Sequence, residues 1–148
     1  MYEQLSKTVE DVIQVANDIA RSYERDYVGT EHLLLAVARQ TESVGGRVLD
    51  EKNLTPATIR KEVDRLAATN LDETWVFGRL PGTPHFKNVM AYAIEETRAA
   101  GTKTVCTHHL LLGLLAEEGC VAERTLTNLH VSASDVRSAL SDGQATEP

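Results

Sequence analysis

Residues Gly29–Leu35 read GTEHLLL, and residues Cys106–Leu112, which lie 77 positions further on, read CTHHLLL. One ungapped shift of 77 aligns other residues between residue 12 and residue 60 with counterparts in the second half. A register held over this distance indicates an internal duplication. Pairs in this register are Val12 with Val89, Ala16 with Ala93, Val28 with Val105, Val44 with Val121, Arg47 with Arg124, Leu49 with Leu126, Ile59 with Val136 and Arg60 with Arg137.

The spacing of apolar residues within each copy predicts α-helices. Val9, Val12, Ala16 and Ile19 recur at steps of three and four residues, which places them on one face of a helix. The three-leucine runs make the second helix of each copy apolar on nearly every side. Such a helix is expected in the middle of a bundle.

Residues that favour helix starts predict where the helices of each copy begin. Ser6 is predicted to be the N-cap of the first helix, and Thr83 the N-cap of its counterpart, with Pro84 at the first helical position. Thr30 and Thr107 are predicted to cap the second helices.

Two further helices are expected in each copy, which gives an all-α fold of about eight helices in two four-helix repeats related by a pseudo-twofold axis. The third helices are predicted near Ser43–Glu51 and Cys120–Asn128, and the fourth begin at Thr55-Pro56 and Ser132.

The two copies are predicted to form one domain over residues 1–141. The linking segment contains Trp75 and Phe77, so it is expected to lie across the joint between the repeats rather than to be a free linker. The last stretch, from Ser141 onward, lacks an apolar anchor and is predicted to be mobile. The predicted boundaries are repeat one at 1–69, connector at 70–82, repeat two at 83–141 and a flexible tail at 142–148.

Composition excludes several classes of function. The formal net charge of −7 and the absence of a basic run disfavour nucleic-acid binding. No apolar run approaches the length of a membrane span, and the N-terminus lacks a signal-peptide pattern, so a cytoplasmic protein is expected. Aromatic residues make up only 5%, which favours an aliphatic, helical core. The two cysteines are expected to be free thiols.

No motif for catalysis or for a cofactor is present. Gly45-Gly46-Arg47 lacks the Lys-Ser/Thr pair of a nucleotide-binding loop, and neither a Gly-x-Ser-x-Gly nor a His-Glu-x-x-His motif occurs. Cys106, His108 and His109 contain metal-ligating groups, but adjacent helical side chains point about 100° apart, so no metal site is predicted. His32 and His109 are expected to be buried hydrogen-bonding residues. The sequence therefore predicts a non-catalytic protein.

In combination, these motifs resemble the N-terminal repeat domain of bacterial Clp unfoldases. The resemblance covers about residues 1–141 and is carried by Gly29–Leu35, by Leu112–Ala122 and by Thr83-Pro84 before a helix. It implies a module that receives substrates or adaptors ahead of the ATPase rings. Since the ATPase motifs are missing, the chain is either an excised N domain or, as we expect, a stand-alone accessory or decoy of a full-length Clp unfoldase.

The resemblance also implies recognition of phosphorylated arginine on marked substrates. Glu31 matches a guanidinium acceptor, although a carboxylate in a first helical turn is equally explained by the helix dipole. Its counterpart is His108, which cannot accept a bidentate guanidinium. Lys87 matches a basic, phosphate-binding position, but its counterpart is Glu10. The hydroxyls of Ser6 and Thr83 could donate to phosphate or serve only as helix caps.

Cyclic-peptide antibiotics and adaptors are further ligands implied by the resemblance. Tyr2 and the corner at Gly82 match the region where they dock, yet close family members carry an aromatic residue at the position of Gly82. Tyr2 could instead cover the end of the bundle. From another class, a helical DNA-binding regulator is an alternative that the acidic charge disfavours.

Overall fold

The computed structural model describes residues 4–25, 27–69 and 84–142. In these ranges eight helices and one two-stranded sheet are present, so the predicted all-α class is confirmed. The elements are β1 (Gln4–Leu5), α1 (Lys7–Ser22), α2 (Thr30–Arg39), α3 (Val44–Glu51), α4 (Pro56–Thr69), α5 (Pro84–Ala99), β2 (Thr104–Val105), α6 (Thr107–Ala116), α7 (Val121–Asn128) and α8 (Ala133–Asp142).

The second helix of each copy lies at the centre of the fold, as its apolar sequence predicts. In α2 the residues from Thr30 to Ala38 are all buried, and in α6 the residues from Thr107 to Leu114 are all buried. α1 packs on α2, α5 packs on α6, and the two central helices contact each other. The two copies therefore share one aliphatic core.

The apolar stripe of α1 is buried in this core. Val9, Val12 and Ala16 are fully buried, and Ile19 is nearly so. In the counterpart helix α5, Val89 and Ala93 occupy the same positions and are also fully buried. Removing apolar surface from water in this way is the main stabilising contribution in a bundle.

Ser6 as the N-cap of α1 and Pro84 as the first residue of α5 are confirmed, and the predicted cap Thr83 lies outside the described residues. The predicted caps of the central helices are wrong. Ser6 caps α1, since its Oγ accepts a 3.0 Å hydrogen bond from Val9 N. Pro84 is the first residue of α5. The N-caps of α2 and α6 are Gly29 and Cys106, which have extended backbones. Thr30 and Thr107 are the first helical residues instead.

A histidine three residues after the cap explains this difference. Nδ1 of His32 accepts a 2.9 Å hydrogen bond from Gly29 N, and Nδ1 of His109 accepts one of the same length from Cys106 N. The imidazole therefore binds the cap backbone, as Glu or Gln does in an ordinary capping box. Both histidines are buried, which confirms the prediction for them.

The threonine hydroxyls bind the opposite copy. Thr107 Oγ1 accepts a 2.7 Å hydrogen bond from Gly45 N at the start of α3. Thr30 Oγ1 accepts a 3.3 Å hydrogen bond from Ala122 N at the start of α7. Since 77 positions separate Thr30 from Thr107 and also Gly45 from Ala122, the exchange is reciprocal and joins the two repeats.

A short parallel sheet, which the sequence does not predict, links the start of the chain to the second repeat. Gln4 pairs with Thr104 and Leu5 with Val105. Ser6 N then donates a 3.0 Å hydrogen bond to Val105 O. Strands of two residues are too short to show an alternating pattern. They bring the N-terminus of α1 next to the N-terminus of α6.

The remaining helix boundaries agree with the prediction, with one correction at the C-terminus. α3 and α7 begin after the caps Ser43 and Cys120. α8 continues to Asp142, although Ser141 and Asp142 are predicted to belong to a mobile stretch. The connector 70–82 and residues 143–148 lie outside the described residues. Across the described ranges, no helix combines the length and the apolar character needed to cross a bilayer.

Candidate functional site

The candidate site residues lie at the N-termini of the first two helices of each copy. β1 and β2 place Ser6, at the start of α1, beside the segment that leads into His108 on α6. α5, which carries Lys87 in its first turn, contacts α2, which carries Glu31. The start of α1 in the first repeat and the start of α6 in the second thus lie side by side. Tyr2, Gly82 and Thr83 lie outside the described residues.

Glu31 is a buried carboxylate in the first turn of α2. Only 6% of the residue is exposed, and the N-terminal end of the helix favours its negative charge. A Cβ atom on Gly29 would lie 2.5 Å from Glu31 Oε1, so the carboxylate occupies the space that a side chain at position 29 would fill. The backbone of Gly29 is extended, which any residue can adopt, but a side chain at this position would displace the Glu31 carboxylate.

His32 lies next to this carboxylate and is neutral at neutral pH. Its Nε2 is 4.0 Å from Glu31 Oε2, and its ring lies 5.7 Å from the ring of Tyr23 and 5.9 Å from that of Tyr27. Burial, followed by the nearby positive charge of Arg25, lowers the pKa of His32 from 6.5 to about 4. At neutral pH, the ring beside the Glu31 carboxyl group is therefore a neutral imidazole.

In the second copy, a histidine replaces the carboxylate and a cysteine replaces the glycine. His108 is buried, and its ring centroid lies 4.1 Å from that of His109. Cys106 Sγ lies 3.8 Å from Thr104 O. Cys106 stands at the position of Gly29, so the second copy carries a side chain where the first copy has none.

The expectation that the two adjacent histidines diverge is wrong. One potential ligand atom from each of Cys106, His108 and His109 lies within 4.8 Å of the others, and all three residues are buried. The planes of the two rings meet at an angle of 43°. The spacing of these residues signals the cluster, but the 100° rule for helical side chains ignores the χ angles that bring the ring atoms back together.

The candidate residues on the outer helices α1 and α5 are one helix cap and two exposed charges. Ser6 is buried, and its hydroxyl oxygen caps α1. Glu10 is exposed in the first turn of α1, and Lys87 is exposed near the start of α5. Counterpart positions on α1 and α5 therefore present charges of opposite sign to solvent.

A polar cluster at the start of α5 is missed by the sequence reasoning. Glu117, the C-cap residue of α6, accepts a 2.9 Å hydrogen bond from Asn88 Nδ2 at its Oε2 atom. The same oxygen lies 2.6 Å from His85 Nδ1. Glu117 is buried, whereas its sequence neighbour Glu118 is exposed. The pairing depends on a contact 29 to 32 residues away in sequence.

The first helices also present apolar side chains outward. Tyr92 on α5 is 37% exposed, and Met90 on the same helix is half-buried. Their counterparts on α1, Val15 and Ile13, are half-buried as well. Both first helices thus carry apolar surface next to their charged first turns.

Comparison with known proteins identifies the family. The sequence matches the family described as "Clp repeat (R) N-terminal domain" over residues 4–129 and 81–148. A ClpA homolog of Porphyra purpurea, an ATP-binding subunit of the ATP-dependent Clp protease, is 33% identical over 137 residues. This alignment covers 93% of the chain but only 16% of the relative, so the chain spans about one sixth of that protein.

Solved structures share the fold. The N-terminal domain of ClpD from Arabidopsis thaliana, a caseinolytic protease associated chaperone, has a TM-score of 0.75 at 19% identity, with 94% of each chain covered. The Hsp104 N-terminal domain from Candida albicans has a TM-score of 0.73 at 13% identity, covering 98% of this chain and 95% of that chain. Together with the duplicated four-helix architecture, the sequence match shows that this chain belongs to the Clp repeat N-terminal domain family.

Proposed function

We propose that this domain is a non-catalytic docking module that receives substrates or adaptors for a Clp unfoldase. The observation that carries the proposal is the family match over nearly the whole chain, since the relatives it aligns with are Clp ATP-binding subunits. Tandem helical repeats bury one face of each unit and leave the others for partners.

The first helices supply the surface best suited to docking. An exposed aromatic side chain, Tyr92, lies on the same helix as the exposed charge of Lys87. Aromatic anchors with a charged rim are typical of protein interfaces. A domain added in free form would then compete with the N domains of an intact unfoldase, as a decoy does.

A reconstituted degradation assay tests this function. Increasing amounts of the domain are added to a full-length Clp unfoldase with its peptidase, once with an adaptor-delivered substrate and once with an adaptor-independent one. We expect the domain to slow the first reaction more than the second. Lys87→Glu is expected to weaken inhibition, whereas Lys61→Glu, the same charge reversal at an exposed site on α4, leaves it unchanged.

Two results would contradict the proposal. One is full-speed degradation of both substrates at a large molar excess of the domain. The other is inhibition that survives Lys87→Glu but disappears with Lys61→Glu, since this would move the docking surface away from α5.

A second, finer function is recognition of arginine or phosphoarginine side chains at the start of α2. We propose it because Glu31 is a buried carboxylate beside a neutral His32. A carboxylate can accept two parallel hydrogen bonds from a guanidinium. The exposed ammonium of Lys87, on a helix that contacts α2, has the sign that a phosphate requires.

The second copy is expected not to bind such a ligand. His108 stands where Glu31 stands in the first copy, and Glu10 stands where Lys87 stands. Both charges that would recognise phosphoarginine are thus replaced, the guanidinium acceptor by an imidazole and the phosphate-binding cation by a carboxylate. The two copies would then share one fold, while only the first binds arginine side chains.

A further inference from the structure

We propose that Cys106, His108 and His109 form a binding site for a thiophilic divalent cation, with Zn²⁺ as its ligand of choice. One ligand atom from each residue lies within 4.8 Å of the others. The exposed fractions are 7% for Cys106, 5% for His108 and 4% for His109. A thiolate with two imidazoles is a donor set that zinc prefers, and in such sites a water takes the fourth position.

The first copy lacks this set of metal-ligating residues, although the two copies share one fold. The positions of Cys106, His108 and His109 correspond to Gly29, Glu31 and His32. Only the histidine that binds the cap backbone is common to both copies. At the two other positions, the second copy has the metal-ligating residues Cys106 and His108, and both differ from the residues of the first copy.

Metal binding requires two small local changes. The Cys106 thiol must lose its proton to solvent, because the thiolate is the ligand. His109 Nδ1 accepts a hydrogen bond from Cys106 N, and this hydrogen bond must be given up when the ring binds the cation. Binding therefore forms one metal–sulfur and two metal–nitrogen bonds at the cost of this hydrogen bond. The ligand atoms must also approach one another, since zinc–ligand bonds measure about 2.0–2.3 Å.

A pair of two-residue strands immediately precedes the cluster. β2 ends at Val105, next to Cys106, and pairs with the two residues of β1. Gln4 N and Ser6 N hold this strand through hydrogen bonds to Lys103 O and Val105 O. Local opening of so short a strand costs little compared with global unfolding.

Titration of the reduced, metal-free domain with Co²⁺ tests the site, because a bound thiolate gives a near-ultraviolet charge-transfer band. We expect the band to saturate at one Co²⁺ per chain and to disappear when Zn²⁺ displaces the cobalt. Cys106→Ser should abolish the band while keeping the fold, because serine is a good N-cap. His108→Gln should weaken binding by roughly tenfold or more, the least that loss of a supporting group costs in metal sites.

Cys120→Ser is the matched control, since Cys120 is also a buried N-cap, whose Sγ accepts from Glu123 N. This variant should keep the full band. The proposal is overturned if the wild-type domain gives no thiolate band, if Cys106→Ser keeps it, or if only Cys120→Ser removes it. Circular dichroism of each variant separates loss of the site from loss of the fold.

Discussion

Thr107 Oγ1 accepts a 2.7 Å hydrogen bond from the backbone N–H of Gly45, so a side chain of the second repeat satisfies the start of a helix in the first. Both groups are buried, and the reverse bond runs from Ala122 N to Thr30 Oγ1. Helix starts leave backbone N–H groups without an intrahelical partner. Here each repeat provides one of these partners for the other, which makes the folding of the two copies interdependent.

Thr107→Val removes this acceptor while keeping the shape of the side chain. The Gly45 N–H would then be buried without a partner, which costs about 1–3 kcal/mol of unfolding free energy. Chemical denaturation measures the change. Thr125→Val is the control, because the Thr125 hydroxyl donates to Val121 O within its own helix and no N–H loses its acceptor. A loss as large for the control as for Thr107→Val would contradict the cross-repeat role.

Gly46→Ala is expected to be the more damaging of two glycine substitutions. A Cβ at position 46 would lie 1.9 Å from the backbone oxygen of Gln40, so the backbone itself must move. We expect a loss of more than about 3 kcal/mol, in the range of severe core changes. Gly119→Ala meets no atom within 4 Å and strains only a left-handed backbone with φ of +88°, at a cost of about 1–2 kcal/mol. Equal melting temperatures for the two variants would disprove the close approach.

Position 29 and position 31 are predicted to be energetically coupled. Gly29→Cys places a side chain where the Glu31 carboxylate lies, and Glu31→His empties that space. The double variant recreates the pair found at Cys106 and His108. We expect the double variant to lose less unfolding free energy than the two single variants lose in total, by roughly 0.5–3 kcal/mol. Additive effects in a double-mutant cycle would show that the two positions differ between the copies independently.

His32 is expected to make the domain less stable in mild acid. Its pKa is about 4 in the folded protein and 6.5 when unfolded, so the unfolded chain binds the proton more readily. The contribution of the neutral imidazole is complete above pH 6.5 and is lost progressively as the pH falls toward 4. Its full size is about 3 kcal/mol.

Unfolding free energies measured between pH 7.5 and pH 4 check this dependence. His32→Gln, whose side-chain oxygen can still accept from Gly29 N, should flatten the pH profile. His130→Asn serves as control, since His130 is exposed and has a left-handed backbone that asparagine tolerates. An unchanged slope for His32→Gln would show that other groups cause the acid sensitivity.

The duplication and the eight helices could be predicted from the sequence, because the apolar spacing and the 77-residue register repeat in both copies. The starts of α2 and α6 could not, since capping propensity favours Thr30 and Thr107 over Gly29 and Cys106. Tertiary contacts overrule that preference, because the threonine hydroxyls are used across the repeats.

Only part of the candidate site could be predicted from the sequence. Glu31 and His108 could be identified because they differ at matched positions of the repeat. The convergence of Cys106, His108 and His109 depends on ring orientation, and the bond between Glu117 and Asn88 depends on how α5 lies along α6. The adjacency of Cys106, His108 and His109 in the sequence indicates the first arrangement without deciding it, and the second leaves no signal in sequence spacing.

Titration of the ¹⁵N-labelled domain with free phosphoarginine, followed by NMR, addresses both repeats in one spectrum. We predict that the amide signals of Gly29–His32 shift in a saturable way, that those of Cys106–His109 do not, and that Glu31→Gln abolishes the response. Saturable shifts of equal size at both helix starts, or shifts at Cys106–His109 alone, would contradict a docking module in which only the first repeat retains arginine recognition.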